Sequence, residues 1–338
     1  MPSTSSEARV LVTGAGGPAA VAVLRALAPR AELYAVDIDP CAAGLHLVDV
    51  HRRAIVRPGG HPLFVDELIE HCRMWDIDVL IPTVDCELVP VAAATGCFAA
   101  IGTSAVVGPA EALAICLDKW RLAGAATSVP APFTVLLDDR FDDDSFPSWP
   151  AIVKPRLGSG SRGVCRIEHP SELAGVRHDG TQILQEYLPG EELSVDVYVD
   201  ADQRPIGAVP RQRLRVDSGV SIAGRTVHDP DATDLAFDVV QALGLTGPAN
   251  VQCRRDRSGR LALLEINPRF PGALPLTIRA GFNIAAIALD EALGTPPTPL
   301  TSYDEVAVVR HLEDVVVSPQ SFDELERSRP HSPETWAS

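Results

Sequence analysis

Positive charge is scarce in this 338-residue chain, and lysine is almost missing. Asp and Glu number 45 against 29 Lys and Arg, a net charge of −16. A nucleic acid or an anionic membrane would want a basic face, so neither is expected as a partner. The seven cysteines include no C-x-x-C pair and their number is odd. That argues against a zinc or disulfide framework and for reduced thiols used as small hydrophobes, as in "LAICL" around Cys116. "MPSTSSEA", residues 1–8, lacks a basic n-region and an apolar h-region, and no apolar run approaches membrane-span length. The expectation is a cytoplasmic protein.

What is present alternates in a readable way. "RVLVTG" reads as a strand, "PAAVAVLRALA" as a helix opened by Pro18, and "ELYAVDI" as a second strand. "PLFVDELIEHCRMW" follows as an amphipathic helix, then "DVLIPT" and "CFAAIGT" as strands. Strands alternating with helices imply parallel βαβ units, hence an α/β Rossmann-like domain over residues 1–115. Strand signals dominate afterwards: "AIVKP", "GVCRI", "ILQEYL", "ELSVDVYVD", "PIGAVP" and "LALLEINP", interrupted by helices at "DATDLAFDVVQALGL" and "GFNIAAIALDEAL". This second part reads as α+β. Residues 318–338 read as a polar tail with at most a short helix at "SFDELER".

Only two cations are Lys: Lys119 in "CLDKW" and Lys154 in "AIVKPRLGSGSRGV". Behind Lys154 come Gly158, Ser159, Gly160, Ser161 and Gly163. Small residues let backbone N–H groups converge on phosphate oxygens, and an ammonium is a compact charge that phosphates accept from many directions. A flexible surface hairpin would use the same residues. The rare lysine delivered by an apolar strand favours the phosphate reading, although this is no Walker A loop.

The strands "ANVQCRR" and "RLALLEIN" flank the turn "DRSG" and read as a hairpin. Glu265 and Asn267 are two apart and share a face, and Gln252 on the neighbouring strand is placed to join them. Such oxygen ligands suit Mg²⁺, with Mn²⁺ as an alternative. A polar strand end facing water is the plainer explanation, and a carboxylate with an amide closing so apolar a strand speaks against it. In "ILQEYLPGEELSVDV" an apolar strand runs through Gln185 and Glu186 into Leu188, a Pro-Gly turn, then Glu192. An extended hinge offers backbone groups to a purine, and a nearby acid suits ribose hydroxyls; taken alone, the segment reads better as a hairpin with exposed acids.

These segments, in this order, resemble the ATP-grasp superfamily, most closely its carbamoyl-phosphate-synthase-like and amino-acid-ligase branches, over about residues 8–295. The resemblance implies a pre-ATP-grasp domain (1–115), a small lobe with a glycine-rich lid (116–185), and a large lobe carrying the Mg²⁺/ATP site (186–317). It assigns Lys119 and Lys154 to nucleotide phosphates, residues 158–163 to the lid, Gln185, Glu186 and Leu188 to the adenine hinge, and Glu192 to ribose. Gln252, Glu265 and Asn267 would hold Mg²⁺, with Arg269 facing the γ-phosphate, so that Arg269 and Lys154 are the expected catalytic pair. The implied activity is ATP-dependent joining of a carboxylate to an amine through an acyl-phosphate. One ATP-grasp unit fits this length, which disfavours a full carbamoyl-phosphate synthase or a biotin carboxylase.

The substrates are weakly specified: a small acid and an amine, with a homodimer left open. Arg211, Arg213 and Arg215 alternate along one strand with Arg225 nearby, and Arg forks suit carboxylates. A charged edge strand explains them equally well. Asp85 and Glu87 follow a parallel strand, where open sheets bind ligands, and are candidates for a substrate ammonium. A rival reading starts at Gly14-x-Gly16-x-x-Ala19 with Asp37 closing the next strand. That is a dinucleotide fingerprint, and it makes an NAD(P)-dependent oxidoreductase the alternative.

Overall fold

The structure is a computed structural model describing residues 7–142, 146–158, 160, 162–217 and 219–329. The chain divides into two compact units: Met1–Ala110 with Ala285–Pro297 and His311–Ser338, and Glu111–Ile284 with Thr298–Arg310.

In the first unit β1 (Ala8–Thr13), β2 (Ala31–Asp37), β3 (Arg53–Ile55), β4 (Val79–Ile81) and β5 (Ser104–Ala105) form a parallel sheet in the order β3-β2-β1-β4-β5. Its crossovers include α1 (Pro18–Leu27), α2 (Phe64–Met74), α3 (Asp85–Ala93) and α4 (Thr95–Ala99). Val10, Leu11 and Val12 are fully enclosed, as expected for a central strand covered on both faces. One sequence expectation fails. "CFAAIGT" is not a strand: its start lies in α4, and a turn leads from there to β5. Phe98 packs into the cluster of Leu11, Val36, Phe64 and Leu80. A short apolar run buries equally well as a helical turn or a strand, so pattern alone does not decide it.

Two antiparallel sheets build the second unit, preceded by α5 (Ala110–Leu117) and α6 (Lys119–Ala125). The smaller sheet joins β6 (Thr134–Leu137), β7 (Ala151–Pro155), β8 (Cys165–Ile167) and β9 (Gln182–Glu186) in the order β6-β9-β7-β8. The larger runs β14-β13-β10-β11-β12-β15, from β10 (Glu192–Val199), β11 (Pro205–Asp217), β12 (Val220–Thr226), β13 (Gly247–Arg255), β14 (Leu261–Asn267) and β15 (Ala307–Val309). Against β10 and β11 lies α7 (Pro230–Ala242), with Leu235, Ala236, Val239 and Val240 buried. α8 (Leu274–Arg279) packs on β12; α9 (Ile284–Ala292), next in sequence, belongs to the first unit from Ala285 onward.

The segment expected to be a polar tail includes α10 (Pro319–Arg327). Leu325 and Ser321 of this helix are buried, and Arg53 of β3 donates to Ser321 Oγ.

Candidate functional site

The register of the large sheet sorts its polar residues onto one face. Cross-strand partners share a face. Ser194 of β10 lies opposite Gln252 on one side and Arg211 on the other, and Gln252 lies opposite Glu265. Two residues further along, Asp196 pairs with Asn250, and Asn250 with Asn267. Two residues the other way, Glu192 pairs with Arg254. Each polar side chain follows from the two-residue period of its strand. Val195 and Val251, between them in sequence, point to the opposite face and are fully buried.

A cavity of about 180 Å³ lies within the second unit, lined from both sheets. Its walls bring together Lys119, Lys154, Gly158, Gln185, Glu186, Leu188, Glu192, Gln252 and Glu265. Residues as distant in sequence as Lys119 and Glu265 thus converge on one opening. Lys119 Nζ donates to the Gly158 carbonyl at 2.6 Å and stands 3.9 Å from Glu265 Oε2. Lys154 is only 7% exposed. Burial pulls its ammonium down to about 8; Glu265 and Glu192 oppose that fall, and the like charge of Lys119 adds to it. The chain's two lysines therefore act on each other directly.

Local sequence explains this convergence. Asp118 caps α6, accepting from the backbone N–H groups of Trp120 and Arg121, and its carboxylate also takes a forked ion pair from Arg156. Lys119 N donates to Arg156 O, tying the start of α6 to the end of β7. The segment expected as the hinge is held at Glu186, whose backbone N–H donates to Phe133 O while its carboxylate accepts from Phe133 N. Gln185 is buried and donates to Thr134 Oγ1. Glu192 pairs with Arg213 at 2.9 Å.

Asn267 and Arg269 do not line the cavity; Asn267 bonds to a residue that does. Asn267 Nδ2 donates to Glu265 Oε1 at 3.5 Å, and Arg269 Nη1 donates to Phe270 O. Gly160 and Gly163 lie in the same loop as Gly158, and Ser159 and Ser161 fall outside the described residues. Among the described residues no group of three or more His, Cys, Asp or Glu is gathered to hold a metal. Glu265, Gln252 and Asn267 instead offer one carboxylate and two amide oxygens, a hard but incomplete set of the kind Mg²⁺ completes with phosphate oxygens.

The four arginines singled out from sequence do not form one group. Arg211 is buried against Asp196, and Arg213 joins the cavity wall. Bulges flank Arg215, which is exposed, and Arg225 pairs with Gln212 on the opposite face. A strict alternation carries no sign of a bulge, which is why sequence grouped them. Sequence reading also missed Asn250, Arg254 and Tyr187. Asn250 and Arg254 were visible in the period-two pattern "N-V-Q-C-R", whereas the stacking of Arg166 over the Tyr187 ring at 4.4 Å was not.

In the first unit the candidate residues are occupied structurally. Glu87 is buried at the N-terminus of α3, taking a hydrogen bond from Thr13 Oγ1 and the backbone N–H groups of Thr83 and Val84, and burial pushes its carboxyl up to about 7. Asp85 begins the same helix. Asp37 accepts from Gly16 N at 2.7 Å and from Asp39 N at 2.9 Å. The acid that ribose hydroxyls would need is thus closing its own loop, and it takes the N–H a pyrophosphate would claim. The oxidoreductase reading loses both supports.

Residues 178–315 match the family model described as ATP-grasp in the biosynthetic pathway with Ter operon. Over that stretch the chain matches the ATP-grasp superfamily. The chain is similar to D-alanine–D-alanine ligase B of Xanthomonas campestris, 33% identical over 133 residues, covering 35% of this chain and 42% of the relative. It is also similar to the D-alanine–D-alanine ligase of Alkalilimnicola ehrlichii, at 27% identity, covering 49% of this chain and 61% of the relative. The chain thus spans about half the length of these relatives. The fold likewise resembles biotin carboxylase from Campylobacter jejuni in complex with a β,γ-ATP analogue, with a TM-score of 0.69 and 16% identity, over 87% of this chain and 73% of that one. The parallel N-terminal sheet followed by antiparallel sheets is the ATP-grasp arrangement. No helix among the described residues is long and apolar enough to cross a membrane.

Proposed function

We propose that this chain is an ATP-dependent carboxylate–amine ligase that works through an acyl-phosphate and releases ADP and phosphate. The observation that carries the reading is the meeting of Lys119, Lys154 and Glu265 in one cavity beside a hinge and a glycine-rich loop. Two partly desolvated ammoniums and a carboxylate make little sense as a core and much sense as a seat for Mg²⁺-bound phosphates. The ligase relatives and the ATP-grasp family match support the same class.

In this reading residues 116–185 are the small lobe and 186–317 the large lobe, with adenine against the Glu186–Leu188 hinge and ribose at Glu192. The reacting carboxylate attacks the γ-phosphorus, the bond to the ADP oxygen breaks, and charge on the leaving group is met by Lys119 and Lys154. Arg269 faces the transferred phosphoryl group. Glu265, Gln252 and Asn267 would hold Mg²⁺, whose chemistry is to neutralise phosphate oxygens and orient the transfer. The amine then attacks the acyl carbon and phosphate leaves, while the loop at Gly158–Gly163 excludes water that would hydrolyse the mixed anhydride. A cytoplasmic location fits a ligase fed by cellular ATP.

Nucleotide product analysis with ATP, Mg²⁺ and pooled amino acids and small carboxylic acids tests this. ADP formed only with particular pools is the expected result. AMP would sink the acyl-phosphate route, and NADH binding in preference to Mg·ATP would sink the class.

A further inference from the structure

Beyond the cavity, on the same face of the large sheet, lies a buried charge imbalance. Arg211 Nε reaches both oxygens of Asp196, at 3.2 and 3.1 Å, and neither residue's side chain is more than 5% exposed. That carboxylate is already shared: Asn250 Nδ2 donates to it at 2.7 Å, and Thr277 Oγ1 of α8 donates as well. Arg310, directly after β15, enters the same region. Its guanidinium donates to the Gly272 carbonyl in the turn that starts at Arg269. Burial and the like charge of Arg211 both weaken its hold on its proton. Among the described residues no carboxylate lies within ion-pair distance of Arg310. Ser194, the cross-strand neighbour of both Arg211 and Gln252, is fully buried with its hydroxyl unpartnered.

Two neighbouring guanidiniums thus have one carboxylate between them, which pairs with Arg211 alone, and an unsatisfied hydroxyl lies beside Arg211. Burying an unpaired cation costs free energy, and an anion that completes the pair recovers it. Arg211 lies on the same sheet face two strands from Gln252 and three from Glu265, beyond the end of the proposed phosphate seat. We infer that Arg211 and Arg310 form a subsite for the α-carboxylate of an amino-acid substrate, the carboxylate that does not react. The reacting carboxylate needs a free, electron-rich oxygen aimed at phosphorus. One gripped by two guanidinium forks has both oxygens engaged and is a poor nucleophile. The pair therefore suits a spectator, protecting it from phosphorylation while orienting the rest of the molecule.

This inference rests on the ligase reading, and its test is chosen to fail separately. Thermal shifts of the full chain are measured with Mg·ATP alone, and with Mg·ADP plus each of the protein amino acids or its α-carboxamide. The expected result is a rise with one or more free acids and none with the matching amides. In Arg310→Gln that rise disappears while the Mg·ATP shift stays, and Arg310→Lys recovers part of it. Once a substrate is known, Arg310→Gln should raise its KM about a hundredfold with the KM for ATP unchanged. Equal shifts from acid and amide, no shift with any amino acid, or a shift kept in Arg310→Gln would each overturn the subsite. Loss of the Mg·ATP shift from the unaltered chain would instead overturn the ligase reading.

Discussion

The chain carries two glycine-rich turns after apolar strands, and they do opposite things. "TGAGGP" in the first unit is filled: a Cβ on Gly14 would overlap Val84 Cγ2, and one on Gly16 would come within 3.1 Å of Ala42 Cβ. "GSGSRG" in the second unit is open at its first glycine: a Cβ on Gly158 would meet nothing within 4 Å, although one on Gly163 would come within 3.0 Å of Pro155 Cγ. Gly14 and Gly158 both adopt positive φ, +61° and +113°. Conformational freedom is common to Gly14 and Gly158; close approach belongs to Gly14 and not to Gly158. A glycine motif therefore reports a backbone requirement, and its neighbours decide whether packing or a ligand imposes it.

The sharpest way to test that contrast is to empty the open site of charge. Lys154→Met should lower ATP-dependent turnover about a thousandfold, the range for removing a group that stabilises transition-state charge. Its free form should be no less stable, because the ammonium it removes is disfavoured by burial. Parallel kinetics and urea unfolding check both halves, and turnover near the unaltered level would break the contrast.

Next in size, Gly14→Ala should destabilise the first unit by about 4 kcal/mol through overpacking plus backbone strain, whereas Gly158→Ala carries strain alone and should cost about 1 kcal/mol. Denaturant titration of the two variants should keep that order; the reverse order would mean the turns have been assigned the wrong way round.

Glu87 sharpens the packing side. Its carboxyl is held at about 7 by burial, above the ordinary 4.5. The folded state therefore binds a proton the unfolded chain releases, and stability is highest below pH 4.5 and falls as pH rises to 7. The expected loss is about 3 kcal/mol. In Glu87→Gln, unfolding free energies measured between pH 4 and 8 should lack that component.

The smallest effect belongs to the open side. With Lys154 titrating at about 8, nucleotide phosphates should draw a proton onto it. Calorimetry in buffers of different ionisation enthalpy should show uptake of about half a proton per nucleotide at pH 8, little at pH 6, and none in Lys154→Met.

Much of the site was legible because it is written in strand periods. Glu265 and Asn267 two apart, Gln252 on the preceding strand, and a lone Lys154 ending β7 all follow from alternation and rarity. The spacing of Arg211, Arg213 and Arg215 failed for the same reason that it attracted notice: bulges beside Arg215 break the alternation and leave no mark in composition. The stretch "CFAAIGT" failed because a run that short carries no period.

By itself, then, the sequence determined the parallel sheet of the first unit, the antiparallel sheets of the second, and the polar face of the hairpin β13–β14, since each rests on periodicity and turn residues within a few positions. Only tertiary structure decided which distant residues meet. Lys119 reaches Glu265, Arg211 is joined by Arg310, and Asp37 turns back onto its own glycine loop. Register, bulges and burial set those meetings, and none of the three is a property of a local stretch of chain.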